Sequence, residues 1–145
     1  MEYYAISKKG RREKNEDSYI AEKINNFYLF AVADGLGGHT GGGIASRIAI
    51  IELKETIKRD GKNGLTKAFQ KANDSIIYEN TEKGYNMGTT MVACIVSNDG
   101  KCTISNVGDS RAYIFNGGIW RTKDHSLVQE PVSYTHLTLP TICSV

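Results

Sequence analysis

Phe27-Tyr28-Leu29-Phe30-Ala31-Val32-Ala33-Asp34-Gly35-Leu36-Gly37-Gly38-His39-Thr40-Gly41-Gly42-Gly43 decides how the rest of the chain is read. An apolar run of aromatic and small residues stops at an acid and passes into a glycine-rich loop, which feeds a helical pattern beginning near Ile44. A continuous apolar run bounded by glycine predicts a buried strand. Asp34 then falls at the strand's C-terminal end, where the sheet stops and a site opens. An unpaired carboxylate is costly to bury, so this one is expected to be hydrogen-bonded or bound to a cation. The glycines allow positive φ and a close approach of backbone to a ligand. The stretch alone points to an oxygen-ligand metal site suited to Mg²⁺ or Mn²⁺.

Towards the N-terminus, residues 2–8 alternate weakly and predict a first strand closed by Gly10. Residues 11–17 form a charged turn, and 17–22 a second strand that turns at Asn25-Asn26 into the central run. Paired strands lie about 4.8 Å apart, so hairpin geometry brings Asn15-Glu16-Asp17 within reach of Asp34. Towards the C-terminus, Ile44, Ile48, Ile51 and Ile57 mark one helical face, with Arg47, Glu52, Lys54 and Glu55 largely off it. Gly61 and Gly64 bracket a break, and Leu65, Ala68, Phe69, Ala72 and Ile76 mark a second amphipathic helix ending near Asn80–Gly84. Both helices are expected to pack on a sheet. From Gly88 the period changes: 89–96 and 102–107 read as strands around the turn Asn98-Asp99-Gly100. Gly108-Asp109-Ser110 leads into 111–115, and Asn116-Gly117-Gly118 into 119–122, an antiparallel meander with a second acid, Asp109, at a strand junction.

At 145 residues the chain fits one domain with a real core. The formal net charge of +2, spread over interleaved charges, argues against a polybasic face for nucleic acid or membrane. No signal peptide is evident at Met1-Glu2-Tyr3-Tyr4, and no apolar run nears the roughly 20 residues of a membrane span. Cys94, Cys102 and Cys143 lack metal-ligand spacing and read as free thiols of a reducing cytoplasm. Both prolines lie in residues 131–145, which carry no Lys, Arg, Asp or Glu although charges are dense up to Glu130. This segment reads as a non-native or artefactual tail, and residues 1–130 as the part that specifies the fold.

The residues with chemistry are Arg12, Glu16, Asp17, Asp34, the Gly35 backbone and Asp109. Carboxylates gathered at strand ends suit hard divalent ions, which position a water and neutralise a phosphoryl group during in-line attack. A nearby arginine offers the planar fork that phosphate oxygens accept. Metal-assisted phosphate hydrolysis follows from these residue types. A dinucleotide loop fails because Gly35-x-Gly37-x-x-Thr40 lacks its third glycine, and no Gly-Lys-Ser/Thr closes a P-loop. Thiol-based phosphate chemistry is disfavoured because no cysteine is followed six positions later by arginine.

Arg12-x-x-Asn15-Glu16-Asp17, Val32-Ala33-Asp34-Gly35-Leu36-Gly37-Gly38-His39, Gly88-Thr89-Thr90, Asn106-Val107-Gly108-Asp109-Ser110-Arg111-Ala112-Tyr113 and Thr122-Lys123-Asp124-His125-Ser126-Leu127-Val128 occur in order. Together they strongly resemble the metal-dependent serine/threonine protein phosphatases of the PPM family (type 2C) in their compact bacterial form, from Met1 to about Glu130. The resemblance implies an α+β fold: two packed antiparallel β-sheets flanked by α-helices, a four-layer α-β-β-α sandwich, here incomplete at its C-terminus. It implies dephosphorylation of phosphoserine and phosphothreonine in proteins by a metal-activated hydroxide at a binuclear Mg²⁺ or Mn²⁺ centre, with a third ion in bacterial members. Asp34 would bridge the metals, the Gly35 carbonyl would bind one, Glu16 would hold one through water, and Asp17 would be a ligand or its support. Arg12 would clamp the substrate phosphate, and Asp109 would help bind the third ion. His39 matches a general acid of some members, with a solvated loop histidine as the alternative. His125 is expected to be structural, and Arg111 to brace its turn. Phosphorylated proteins, with a cognate serine/threonine kinase and its targets, would be the partners.

The family's later metal-binding aspartates, in Asp-Gly and Asp-Asn pairs, do not follow Asp124. The chain therefore reads as the N-terminal part of a catalytic domain, inactive or nearly so as written. The alternative is a non-catalytic fragment that binds metal or phosphoprotein.

Overall fold

The computed structural model describes residues 1–37, 41–125 and the backbone of 141–144. β1 (Asp17–Ile24) and β2 (Phe27–Leu36) form an antiparallel hairpin in which Asp17 lies opposite Asp34. The tight turn between them is made by Asn25 at φ 53°, a left-handed conformation that asparagine tolerates. Helix α1 (Gly41–Asp60), a 3-10 turn (Gly61–Gly64) and helix α2 (Leu65–Lys83) follow. α2 ends where Gly84, at φ 64°, returns its N–H to the Asn80 carbonyl. The Asn80 side chain then holds Met87 by both its N–H (3.0 Å) and its carbonyl (2.9 Å). That pair delivers the chain to β3 (Gly88–Thr89), which pairs with the end of β2. β4 (Met91–Ser97) and β5 (Lys101–Val107) complete the sheet, with the backbone of β8 (Thr141–Ser144) on its far edge, in the order β1-β2-β4-β5-β8. β6 (Tyr113–Phe115) and β7 (Ile119–Arg121) form a separate two-stranded ribbon.

One core holds the helices to the sheet. Leu29, Ala31 and Ala33 from β2 meet Met91, Ala93 and Ile95 from β4, Leu53 and Ile57 from α1, and Leu65 and Phe69 from α2. A smaller cluster on the other face joins Val92, Cys102 and Ile104 to Ile114 and Trp120 of the ribbon. The structure is thus α+β with antiparallel sheets, as expected, and the helices lie against one face of the main sheet.

Several expectations are corrected. Residues 1–9 form no strand: they are extended and exposed, and Tyr3 stands edge-on to the Tyr28 and Phe30 rings at 6.0 and 5.4 Å. Their weak alternation contains too little apolar surface to specify a buried register. β2 is buried on one face only: Leu29 and Ala33 are inaccessible, while Val32 is 48% exposed. Its continuous apolar run contains an alternation that the aromatic residues disguise. β2 also runs two residues past Asp34, to Leu36, because β3 pairs with its end. The α1 face is rotated: Ala45, Ser46, Ala49, Leu53, Thr56 and Ile57 are buried, and Ile51 is 59% exposed. Small residues on this side let the helix axis approach the sheet, which the bulkier isoleucines would prevent. The meander breaks after β5, since β6–β7 leaves the main sheet. The N-terminal segment, the main sheet and the Arg111–Ala112 stretch leave an open apolar groove of about 410 Å³ beside Ile6, Tyr19, Val32 and Val92. Among the described residues the second full sheet of a four-layer sandwich is not formed. Of the expected tail, residues 131–145, all but the backbone of 141–144 lies outside the described residues, as do residues 126–130 and residues 38–40 of the glycine loop.

Candidate active site

The β1–β2 hairpin sets the site, because its register puts Asp17 directly across from Asp34. The Asp17 N–H is turned inward by a bond to Asn15 Oδ1 at 3.1 Å. Glu16 is held by its carbonyl, which accepts from the fully buried Ser46 hydroxyl of α1 at 2.6 Å and from the Gly35 N–H at 3.3 Å. Ser18 joins the same hydroxyl at 2.9 Å. Strand ends and helix start are therefore sewn together at one point.

The glycines serve this closeness. A Cβ on Gly35 would stand 2.0 Å from the Gly42 carbonyl oxygen, and one on Gly42 would stand 2.8 Å from Glu16 Oε2. Backbone packing against backbone, more than unusual φ, is what requires glycine at both positions. It also puts the Glu16 carboxylate at the first turn of α1, where the helix dipole favours a negative charge.

Asp34 carries the electrostatics. Asp34 is an exposed residue rather than the buried one expected, yet its carboxyl is held above the ordinary carboxylate range, first by partial desolvation, then by the charge and hydrogen bond of Asp17, then by the charge of Asp109, with Arg12 opposing. Asp17, Asp34, Asp109 and Arg12 are thus brought into one electrostatic neighbourhood from two strands and two loops. Glu16 joins through backbone, with its carboxylate towards α1, and His39 lies outside the described residues. Among the described residues no three His, Cys, Asp or Glu side chains converge as a closed metal cage. The donors nevertheless fit a hard cation in kind: all are carboxylate oxygens, and their mutual repulsion, which adds to desolvation in raising Asp34, is what a divalent ion would relieve. Arg12 is exposed on the turn above them, its N–H bonded to the Lys9 carbonyl at 3.4 Å.

The loop bearing Asp109 is braced as expected. Arg111 grips Asp124 with two bonds of 2.7 and 2.5 Å, the His125 N–H reaches the Gly108 carbonyl at 2.9 Å, and Asn106 Nδ2 reaches the Lys123 carbonyl at 2.9 Å. The Thr90 hydroxyl, assigned no role from sequence, accepts from the Asp34 N–H at 3.0 Å and meets Ser110 Oγ at 2.5 Å. Its only signal was membership of Gly88-Thr89-Thr90.

The family model described as Protein phosphatase 2C matches residues 1–132. The chain is 38% identical over 132 residues to the serine/threonine phosphatase stp of Listeria monocytogenes serotype 4b, covering 82% of this chain and 52% of that protein. It is 30% identical over 151 residues to the protein phosphatase PhpP of Streptococcus pneumoniae, covering 95% of this chain and 61% of that protein. The chain therefore spans about half to three-fifths of the length of these relatives. Its structure superposes on the catalytic domain of the serine/threonine protein phosphatase PstP in complex with two manganese ions, with TM-score 0.69 and 31% identity, over 81% of this chain and 53% of that one. The Mycobacterium tuberculosis PstP/Ppp structure matches with TM-score 0.70 and 27% identity, over 91% and 67%.

Proposed function

This chain belongs to the protein phosphatase 2C family, and on that premise we propose that it supplies the N-terminal share of a site that hydrolyses phosphoserine and phosphothreonine in proteins. The single observation that carries the reading is the Asp17–Asp34 pair with Asp109 and Arg12 at hand, where desolvation first and the neighbouring acids second leave Asp34 above its ordinary range. Asp34 and Asp17 would hold Mn²⁺ or Mg²⁺, with the Gly35 carbonyl, with Glu16 through water, and with Asp109 at a further ion. Such ions, when bound, activate a water and neutralise phosphoryl charge. Arg12 would orient the phosphate of the substrate by a bidentate grip, and the exposed turn that carries it leaves room for a protein substrate. His39 is proposed as a proton donor to the leaving hydroxyl. The four-layer sandwich is proposed for the longer domain, its second sheet covering the groove beside Tyr19 and Val32.

The donor set in hand is partial, so we assign the isolated chain metal and phosphate binding with little or no turnover. Calorimetric titration of a phosphothreonine peptide into the chain with saturating Mn²⁺ tests this. Binding that Arg12→Ala weakens by about tenfold or more supports the reading, in line with loss of a charge-assisted pair. Absence of binding, or binding indifferent to Arg12, contradicts it. Manganese-dependent release of phosphate from the peptide at enzymatic rates would overturn the assignment of little turnover.

A further inference from the structure

We propose that Thr90, together with Ser110, is a positioning pair that fixes the separation of the two acid-bearing segments, Asp34 on β2 and Asp109 in the loop after β5. The chemistry of this proposal rests on the phosphatase reading above, and its geometry on hydrogen bonds alone. Thr90 interrupts the strand between β3 and β4 and is only 5% exposed. Its N–H donates to the Asp34 carbonyl at 2.9 Å, and its Oγ1 accepts from the Asp34 N–H at 3.0 Å. Both backbone polar groups of Asp34 therefore end on one residue, and Thr89 Oγ1 lies 3.0 Å from the same carbonyl and 2.8 Å from that of Thr90, its single proton serving one of them. The Thr90 hydroxyl also meets Ser110 Oγ, next in sequence to Asp109, at 2.5 Å. A hydroxyl has one proton and two lone pairs, so it can accept from Asp34 and still pair with Ser110 in either donor sense.

The loop comes this close because Gly108 has no side chain. A Cβ there would stand 2.7 Å from the Thr90 methyl, and Gly108 holds φ at +87°. Sterics and hydrogen bonds thus converge on one residue. The carboxylates of Asp34 and Asp109 repel each other, and the Asp109 loop is also held by Arg111 to Asp124 and by the Gly108 carbonyl to the His125 N–H. The Thr90–Ser110 contact is the inner anchor that opposes this repulsion. Outer partners of metal ligands commonly change metal affinity by about 10- to 100-fold when removed.

The test compares the chain with Thr90→Val, Thr90→Ser and Ser110→Ala, reading Mn²⁺ affinity by calorimetry and the exchange protection of the Asp34 amide by NMR. Valine keeps the methyl packing and deletes the hydroxyl; serine keeps the hydroxyl. The expected result is a loss of Mn²⁺ affinity of about 10- to 100-fold in Thr90→Val and Ser110→Ala, wild-type affinity in Thr90→Ser, and loss of Asp34 amide protection in Thr90→Val alone. Unchanged affinity and protection in Thr90→Val overturns the pair while leaving the phosphatase reading intact. Failure of serine to rescue also overturns it, since the hydroxyl is then not the cause. If the wild-type chain takes no Mn²⁺, the metal reading falls, and amide protection decides the positioning claim: retained in Thr90→Ser and lost in Thr90→Val supports it, equal in both contradicts it. Should Thr90→Val not fold, Ser110→Ala with the Asp34 amide still bonded decides through Mn²⁺ affinity.

Discussion

At Asp34 the cost of assembling the site is visible as a raised pKa, from burial first and Asp17 second. A carboxyl that binds its proton more tightly in the folded chain contributes stability that is fully present below the unfolded value of 3.8 and is lost as pH rises through the raised folded value. Asp34→Asn is therefore expected to raise the melting temperature in chelator at pH 7, with the gain vanishing near pH 3, as thermal melts across pH will show. With Asp34 as a metal ligand, as proposed, added Mn²⁺ is expected to reverse the order at pH 7, because the charged carboxylate is the stronger ligand. Gly35→Ala acts by sterics: its Cβ would sit 2.0 Å from the Gly42 carbonyl oxygen. It should cost about 3 kcal/mol, the upper range for overpacking, measurable by urea unfolding. Asp34 and Gly35 were legible in sequence because an acid and a glycine that end an apolar strand are conspicuous. Thr90 was not, because a threonine in a β-branched run looks like strand filler, and its two partners lie 56 and 20 positions away.

Helix α1 shows why pattern reading found the element and missed its face. Isoleucines dominate the hydropathy of 44–57, yet the helix buries Ala45, Ser46 and Ala49 against the β1–β2 hairpin because a small-residue side allows close approach. Leu53, inaccessible to solvent, is expected to cost about 2–5 kcal/mol as Leu53→Ala. Ile51→Ala, at a 59% exposed position, should change stability by less than about 0.5 kcal/mol. Chemical denaturation of the two variants checks the rotation directly, and equal losses would contradict it. The hairpin β4–β5 was legible from Asn98-Asp99-Gly100, a local signal. The departure of β6–β7 into its own ribbon was not, since a Gly-Asp-Ser turn does not encode which sheet the next strand joins.

At the scale of the molecule, one sheet face is packed by helices, and among the described residues the other is met by the ribbon and by the N-terminal segment that carries Tyr3. Exposed Tyr19 and Val32 belong to that second face, and exposed Phe115 and Ile119 to the separate ribbon. Family membership follows from motifs spread over residues 1–132, while the chain spans 52% of its Listeria relative. Organisation of the site was legible because Asp17 and Asp34 face each other across a hairpin that the Asn25-Asn26 turn announces, although Asp34 lies two residues inside its strand. That the donor set is partial was legible as well, since the Asp-Gly and Asp-Asn pairs are missing after Asp124, and among the described residues no third carboxylate closes on Asp17 and Asp34. Among those residues, too, no helix is long and apolar enough to cross a membrane. The central claim, that Asp34 and its neighbours form the metal-binding half of a phosphatase site, is tested most directly by calorimetric titration of Mn²⁺ into the folded chain and into Asp34→Asn, with circular dichroism as the control for folding. Saturable binding by the chain and its loss in the folded variant is the predicted result; a folded chain that binds no Mn²⁺, or a variant that binds it equally well, would contradict it.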